Sequence, residues 1–174
     1  MPAPELLAAP RKERGFFLIE AMVAILIFAL GILGLVAMGG TAVSSQSDAQ
    51  YRTEASSLAD AIAGEMALGI DRSSDAQKAL TLAAFAHQPS PAPTTPSCSF
   101  TGTALTAGGA PTVFPLLSRA ANAASAPGLP GATTANQQIY IDTASGFGRV
   151  VITLCWKTAS DLAWRRHTLV TYVN

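Results

Sequence analysis

The sequence predicts an α+β protein in which one long N-terminal helix packs on a C-terminal antiparallel β-sheet. Residues 16–38 are apolar apart from Glu20, and a helical spacing of apolar residues continues after them. The last third of the chain instead has three short runs rich in β-branched and aromatic residues. Outside the apolar segment, the 174-residue chain leaves one modest folded domain of roughly 100 residues.

The apolar segment is long enough to cross a lipid bilayer. At about 1.5 Å of rise per residue, a helix over residues 16–38 is roughly 35 Å long. Arg11, Lys12 and Arg14 precede it, and no further cation occurs before Arg52. Because basic residues beside a membrane span stay in the cytoplasm, we expect the chain to run outward from this cluster.

Glu20 is the one charged residue of the apolar segment. An ionised side chain inside a span costs roughly 2.5–3.5 kcal/mol on insertion scales, so it usually has a partner. Two interpretations remain open. The carboxylate can lie at the membrane interface and interact with the helix dipole. Alternatively, cleavage after Gly15 would create an α-amine at Phe16 with which Glu20 of a neighbouring copy can pair.

The run RGFFLIE at residues 14–20, followed by an uninterrupted apolar helix, resembles the class III leader and first helix of type IV pilins and pseudopilins. The resemblance implies the type IV pilin fold and cleavage by a prepilin peptidase between Gly15 and Phe16. It also implies N-methylation of Phe16 and a role for Glu20 in an assembly salt bridge. The implied division is a leader at residues 1–15, a transmembrane or filament-core helix at 16–40, and a periplasmic head at 41–174.

Residues 51–66 and the pair Cys155-Trp156 further resemble the PilV-type minor pilins, or type IV pilus modification proteins. That resemblance implies an inner-membrane protein that joins other minor pilins, the major pilin and the inner-membrane assembly platform. It also implies roles in pilus priming, adhesion and twitching motility. No proline occurs between Pro10 and Pro89, so we expect a straight first helix. The absence departs from the major-pilin pattern, and the resemblance therefore implies a minor component. A type II secretion pseudopilin, or an uncleaved membrane-anchored periplasmic binding domain, is the alternative.

The first helix is predicted to continue as an amphipathic segment to about Leu68. Its apolar positions recur at intervals of three and four residues: Tyr51, Ala55, Leu58, Ile62, Met66 and Ile70. We expect the charged residues of the same segment to form a solvated or subunit-facing side. They are Asp48, Arg52, Glu54, Asp60 and Glu65.

Residues 71–117 have weaker sequence signals for secondary structure than the rest of the chain. Residues 71–88 predict a short helix capped by Ser73 or Ser74. Its expected apolar anchors are Leu80, Leu82 and Phe85. Four prolines at positions 89, 91, 93 and 96 then predict an extended surface connector. A strand is expected near residues 112–117.

Residues 137–142, 149–156 and 165–173 predict an antiparallel meander of three strands packed on the helix. Cys98 and Cys155 both follow the membrane segment. In an oxidising compartment such a pair usually forms a disulfide, and two free buried thiols are the alternative.

Composition argues against other classes of function. The formal net charge is zero and the basic residues are scattered, so we expect no nucleic-acid binding. The cysteines have no metal-binding spacing, and we expect no metal or cofactor. A Cys155–His167 dyad is conceivable across neighbouring strands, but no third residue is predicted to orient it. The sequence therefore predicts a non-enzymatic protein.

Overall fold

The computed structural model describes residues 14–94, 96–121, 128–142 and 148–173. The helices of this part of the chain are α1 (Arg14–Gly69), α2 (Asp75–Ala83) and α3 (Val113–Ala120), and a 3₁₀ turn covers Thr134–Asn136. The strands are β1 (Gln137–Asp142), β2 (Arg149–Trp156) and β3 (Arg165–Tyr172). The predicted α+β fold class is confirmed. The predicted leader lies outside the described residues except for Arg14 and Gly15, which begin α1.

The chain forms two compact units that divide between Ser47 and Asp48. Helix α1 is continuous across that boundary. The first unit contains the apolar segment of α1. The second unit, called the head below, contains α1 from Asp48 onward, the shorter helices and the sheet.

The core of the head forms where the amphipathic part of α1 meets the sheet. The predicted apolar stripe is buried from Ala55 to Ile70, and Tyr51 packs against its edge. Trp156 and Ile152 from the sheet are fully buried in the same cluster. Because burying each large apolar side chain is worth about 1.5–3 kcal/mol, this cluster is the main source of the head's stability.

The sheet is the predicted three-stranded antiparallel meander, in the order β1-β2-β3. The central strand β2 is buried on both faces, whereas β3 alternates between half-buried and exposed residues. On the face toward the core, Ile139 pairs with Ile152, which pairs with Leu169. The side chains between these positions lie on the opposite face of the sheet, called the outer face below, where Gln138 pairs with Thr153, which pairs with Thr168.

The second helix begins where its sequence predicts. The backbone N–H of Gln77 donates to Ser74 Oγ at 3.2 Å, which makes Ser74 the N-cap. Leu82 and Phe85 are buried as expected. The expectation for Leu80 is wrong, since its side chain is 65% exposed.

The strand expected near residues 112–117 is also wrong, because this segment forms α3. Val113, Leu117 and Ala120 are buried, and their spacing of four and three places them on one helical face. Pro115 lies in the first turn, where an α-helix needs no donor from that backbone nitrogen. The β-branched and aromatic residues of this segment therefore pack as a helix.

Candidate functional site

The apolar segment of α1 has no protein cover within the described part of the chain. Its large apolar side chains, from Phe17 to Met38, are between 46% and 74% exposed. By length and composition, α1 is able to cross a membrane. An uncovered apolar surface of this extent is typical of a segment that lies in lipid or among other apolar helices.

Gly15, Phe16 and Glu20, the residues expected at the processing and assembly site, all lie in the first two turns of α1. The Glu20 side chain is exposed. No ion pair or hydrogen bond among the described residues engages it. The structure thus presents the carboxylate on an apolar helix surface, where a cation from another molecule can reach it.

Two ion pairs join α1 to distant parts of the head, and the sequence analysis missed both. Glu54 accepts a hydrogen bond from Arg119 of α3, and Asp48 pairs with Arg165 of β3. Asp48 and Glu54 therefore do not belong to a purely solvated side of the helix, whereas Asp60 is exposed as expected. The partners lie more than 60 positions apart, so no local sequence pattern indicates the pairing.

Arg165 also holds the loop before β3. Its guanidinium donates to Asp161 Oδ1 from Nε at 3.0 Å and from Nη2 at 2.8 Å. The backbone N–H and hydroxyl of Thr158 donate to Asp161 Oδ2 at 2.9 and 2.8 Å. These hydrogen bonds, those from Arg165 first, lower the pKa of the Asp161 carboxyl, and Asp161 in turn raises the pKa of Arg165.

A disulfide joins Cys98, in the loop after the prolines, to Cys155 in the central strand. Its Cα atoms lie 5.8 Å apart, and 57 positions separate the residues in sequence. The buried side chain of Gln137 bonds both backbone groups of Cys155, accepting from its N–H at 3.2 Å and donating to its carbonyl at 3.0 Å. The disulfide is thus anchored to a rigid part of the sheet.

His87 is buried and bonded on both ring nitrogens. The Leu105 N–H donates to Nδ1 at 2.9 Å, so Nδ1 carries no proton and Nε2–H donates to the Thr134 carbonyl at 3.0 Å. The His87 backbone bonds both ways with Ile139 of β1. Burial lowers the pKa of His87 by disfavouring the charged ring, although the bond to Thr134 acts in the opposite direction.

The conceivable Cys155–His167 dyad is ruled out by this geometry. The Cys155 sulfur is in the disulfide and carries no thiol. His167 pairs with Leu154, whose side chain is in the core, so its ring lies on the opposite face of the sheet from Cys155. Among the described residues, no three or more histidine, cysteine or acidic side chains lie together so as to hold a metal.

Comparison with known families gave one match. The family model for the prokaryotic N-terminal methylation motif matches residues 10–36, which include the glycine, the phenylalanine and the glutamate discussed above. Neither the curated proteins nor the solved structures gave a match.

The matched motif and the fold together support a type IV pilin-like protein of the prepilin class. The motif implies processing by a prepilin peptidase and assembly into a pilus or pseudopilus, and it supports membrane anchoring through α1. Proteins with this motif are structural rather than enzymatic.

Proposed function

We propose that this chain is a minor pilin of a type IV pilus, of the PilV type. The observation that carries the proposal is the methylation motif at residues 10–36, placed on a helix whose apolar side chains have no cover within the described chain. Such a surface is stable only in lipid or among similar helices. A filament subunit uses both environments in turn, first the inner membrane and then the filament core.

In this proposal, prepilin peptidase cuts between Gly15 and Phe16, and the new N-terminus of Phe16 is methylated. Residues 16–40 hold the protein in the inner membrane with its N-terminus cytoplasmic, and residues 41–174 form a periplasmic head. Glu20 then pairs with the N-terminal amine of a neighbouring pilin. Pairing is favourable because a carboxylate alone among apolar helices is costly, whereas a paired one is neutralised.

The proposed partners are the prepilin peptidase, other minor pilins, the major pilin and the assembly platform of the inner membrane. As a minor subunit, the protein primes or joins pilus assembly and contributes to adhesion and twitching motility. The disulfide of the head supports a periplasmic location, since such bonds persist in oxidising compartments.

The charge of Glu20 provides the test. We expect Glu20→Gln to remove the protein from the sheared pilus fraction while leaving its amount in the membrane unchanged. Asp60→Asn is the matched control, because Asp60 is an exposed acid of the same helix outside the apolar segment. Equal incorporation of both variants would contradict the proposed role of Glu20.

Deletion of the gene distinguishes the pilus from a type II secretion pseudopilus. We expect loss of surface pili and of twitching motility, with protein secretion unchanged. Loss of secretion with normal piliation would instead favour the pseudopilin.

A further inference from the structure

Three consecutive apolar residues form the exposed end of the loop between β2 and β3. Leu162 is 100% exposed and Trp164 is 41% exposed, and Ala163 between them is also exposed. A single exposed apolar side chain is common on protein surfaces, whereas neighbouring ones often mark a contact site. These three residues are called the apolar tip below.

The apolar tip stands on a fixed base. The Asp161 carboxylate accepts hydrogen bonds from Thr158 and Arg165, and the Asp161 N–H donates to the Thr158 carbonyl at 3.1 Å. Arg165 is in turn paired with Asp48 of α1. Because the loop is already held in this shape, binding through the tip costs little ordering of the chain.

The loop lies at the end of the head where the chain enters from the apolar segment. Asp48 is the first residue of the head, and its partner Arg165 directly follows the tip. The other end of β3 lies by Gly148, whose carbonyl accepts from the Val173 N–H. A Cβ added at Gly148 would lie 3.5 Å from Leu82 of α2, the helix that follows the far end of α1.

The chain is short enough to keep the tip at the membrane surface. Residues 39–47 join the end of the apolar segment to Asp48. From Met38 to Asp48 the chain measures about 15 Å as a helix and at most about 35 Å when extended. Leu162 lies three positions before Arg165, which adds a reach of up to about 10 Å. These lengths bring the tip within reach of the interfacial layer, which extends roughly 5–7 Å beyond the hydrocarbon core.

The charges around the tip suit an anionic lipid surface. Asp161 and Asp48 are both neutralised by Arg165. Lys157 begins the loop, and Arg166 follows it on the outer face of the sheet. Neither belongs to an ion pair of the described residues. The charge left free beside the tip is therefore positive, and anionic headgroups attract such residues.

We infer that the apolar tip inserts into the interface of the bilayer that α1 spans, and so docks the head on its own membrane. Leu162 enters the boundary between headgroups and acyl chains, and Trp164 lies at the headgroup level, where tryptophan is enriched. Lys157 and Arg166 contact lipid phosphates. Docking requires that α1 spans a bilayer, whereas cleavage of the leader and assembly into a filament are not needed.

A protein surface fits the tip less well than lipid. Stable protein interfaces bury about 1,200–2,000 Å², far more than three residues provide. A weak lipid contact is sufficient here, because the span already holds the head beside the membrane and makes the second contact intramolecular.

The test uses the full-length protein in vesicles of phosphatidylcholine and phosphatidylglycerol, with and without bromine atoms on the acyl chains. Bromine quenches the fluorescence of a tryptophan that touches it. The chain has two tryptophans, and Trp156 is fully buried. The emission of Trp164 is therefore the difference between the wild type and Trp164→Phe. We expect bromine to quench this difference and to leave the emission of Trp164→Phe unchanged.

A charge at the tip should release it. We expect Leu162→Asp to lower the ratio of docked to undocked head, measured by the quenching of Trp164, by about tenfold or more, as for the loss of one buried leucine. Leu80→Asp is the matched control, because Leu80 is a 65% exposed leucine of α2, and it should leave the quenching unchanged.

Three results would overturn the inference. The first is Trp164 emission that brominated lipid does not quench, and the second is equal quenching in Leu162→Asp and the wild type. The third is Trp164 emission that depends on the density of protein in the membrane but not on bromine, which would indicate a contact between copies. Each result can be obtained with unprocessed protein, so it is separate from the outcome for the proposed pilin function.

Discussion

Arg119 Nη2 in α3 donates a hydrogen bond of 2.5 Å to Glu54 Oε1 in α1. Arg119 is the only charged residue between Lys78 and Asp142. The ion pair therefore connects the middle of the chain, whose sequence has few charged residues, to α1, whose apolar residues form part of the core. The pair is partly exposed, with side-chain exposures of 48% and 31%, so solvent screens it.

Removing the pair's charges should have a small, salt-dependent effect. We expect Arg119→Gln to lower the free energy of unfolding by about 0.2–1 kcal/mol, as for other exposed pairs, and by less in high salt. Urea unfolding of Arg119→Gln, Glu54→Gln and the double variant at two salt concentrations measures the coupling between the two side chains. A coupling that is unchanged by salt would show that the contact is not mainly ionic.

The buried ring of His87 predicts that the head loses stability in mild acid. Its folded-state pKa lies below the ordinary histidine value of about 6.5, so the unfolded chain binds the extra proton first as pH falls. The contribution of neutral His87 is complete above that value and is lost as pH falls toward the lowered folded pKa. Asp161, whose pKa is also lowered, loses its contribution only below the ordinary aspartate range.

Unfolding measured between pH 5 and 8 tests this prediction. We expect His87→Gln to be less stable than the wild type at neutral pH and to lack the pH-dependent change. His167→Gln, which removes a half-buried imidazole from β3, is the control and should keep the wild-type profile. If His87→Gln keeps that profile too, the assignment to His87 is wrong.

The disulfide should contribute substantially to the stability of the head. With 57 positions between its cysteines, the chain-entropy model gives about 4 kcal/mol. We expect a loss of that order in the double variant Cys98→Ser/Cys155→Ser, and the same loss when the wild type is reduced. Reductant should not affect the double variant. A wild type whose unfolding midpoint is insensitive to reductant would contradict this estimate.

Two glycine-to-alanine changes should act in opposite directions. Gly148 has φ of +60°, and an added Cβ would lie 2.5 Å from the Val173 carbonyl oxygen, so we expect Gly148→Ala to destabilise the head by at least about 1 kcal/mol. Gly64 lies in α1 with open space around it, so Gly64→Ala should stabilise by about 0.5–1 kcal/mol. Thermal unfolding of both variants measures the difference, and a shift of the same sign in both would contradict it.

The sequence predicted the parts of the fold that have a strong local pattern. The first half of α1 follows from a continuous apolar run, its second half from apolar spacing, and the three strands from runs rich in β-branched and aromatic residues. Ser74 was one of two predicted caps and is the N-cap of α2. The segment that became α3 was misassigned because its β-branched and aromatic residues favour a strand, whereas burial of Val113 and Leu117 on one face favours a helix.

The candidate sites likewise fall into two groups, those that the sequence can indicate and those that depend on tertiary structure. The N-terminal motif is contiguous, so a single sequence can indicate it. The alignment of Gln138, Thr153 and Thr168 across the sheet depends on strand register, and the bonds of His87 depend on loops that are far apart in sequence. Register and loop placement follow from tertiary packing, which local patterns do not specify.

The most direct test of the proposed function is the intact mass of the protein purified from its native membrane. We expect loss of residues 1–15 and one added methyl group on Phe16. Gly15→Val should keep the leader, because it places a bulky side chain at the proposed cleavage site, while Gly31→Ala, elsewhere in the apolar helix, should be processed normally. An unprocessed N-terminus on the wild type in cells with active prepilin peptidase would contradict the proposal and favour an uncleaved, membrane-anchored protein.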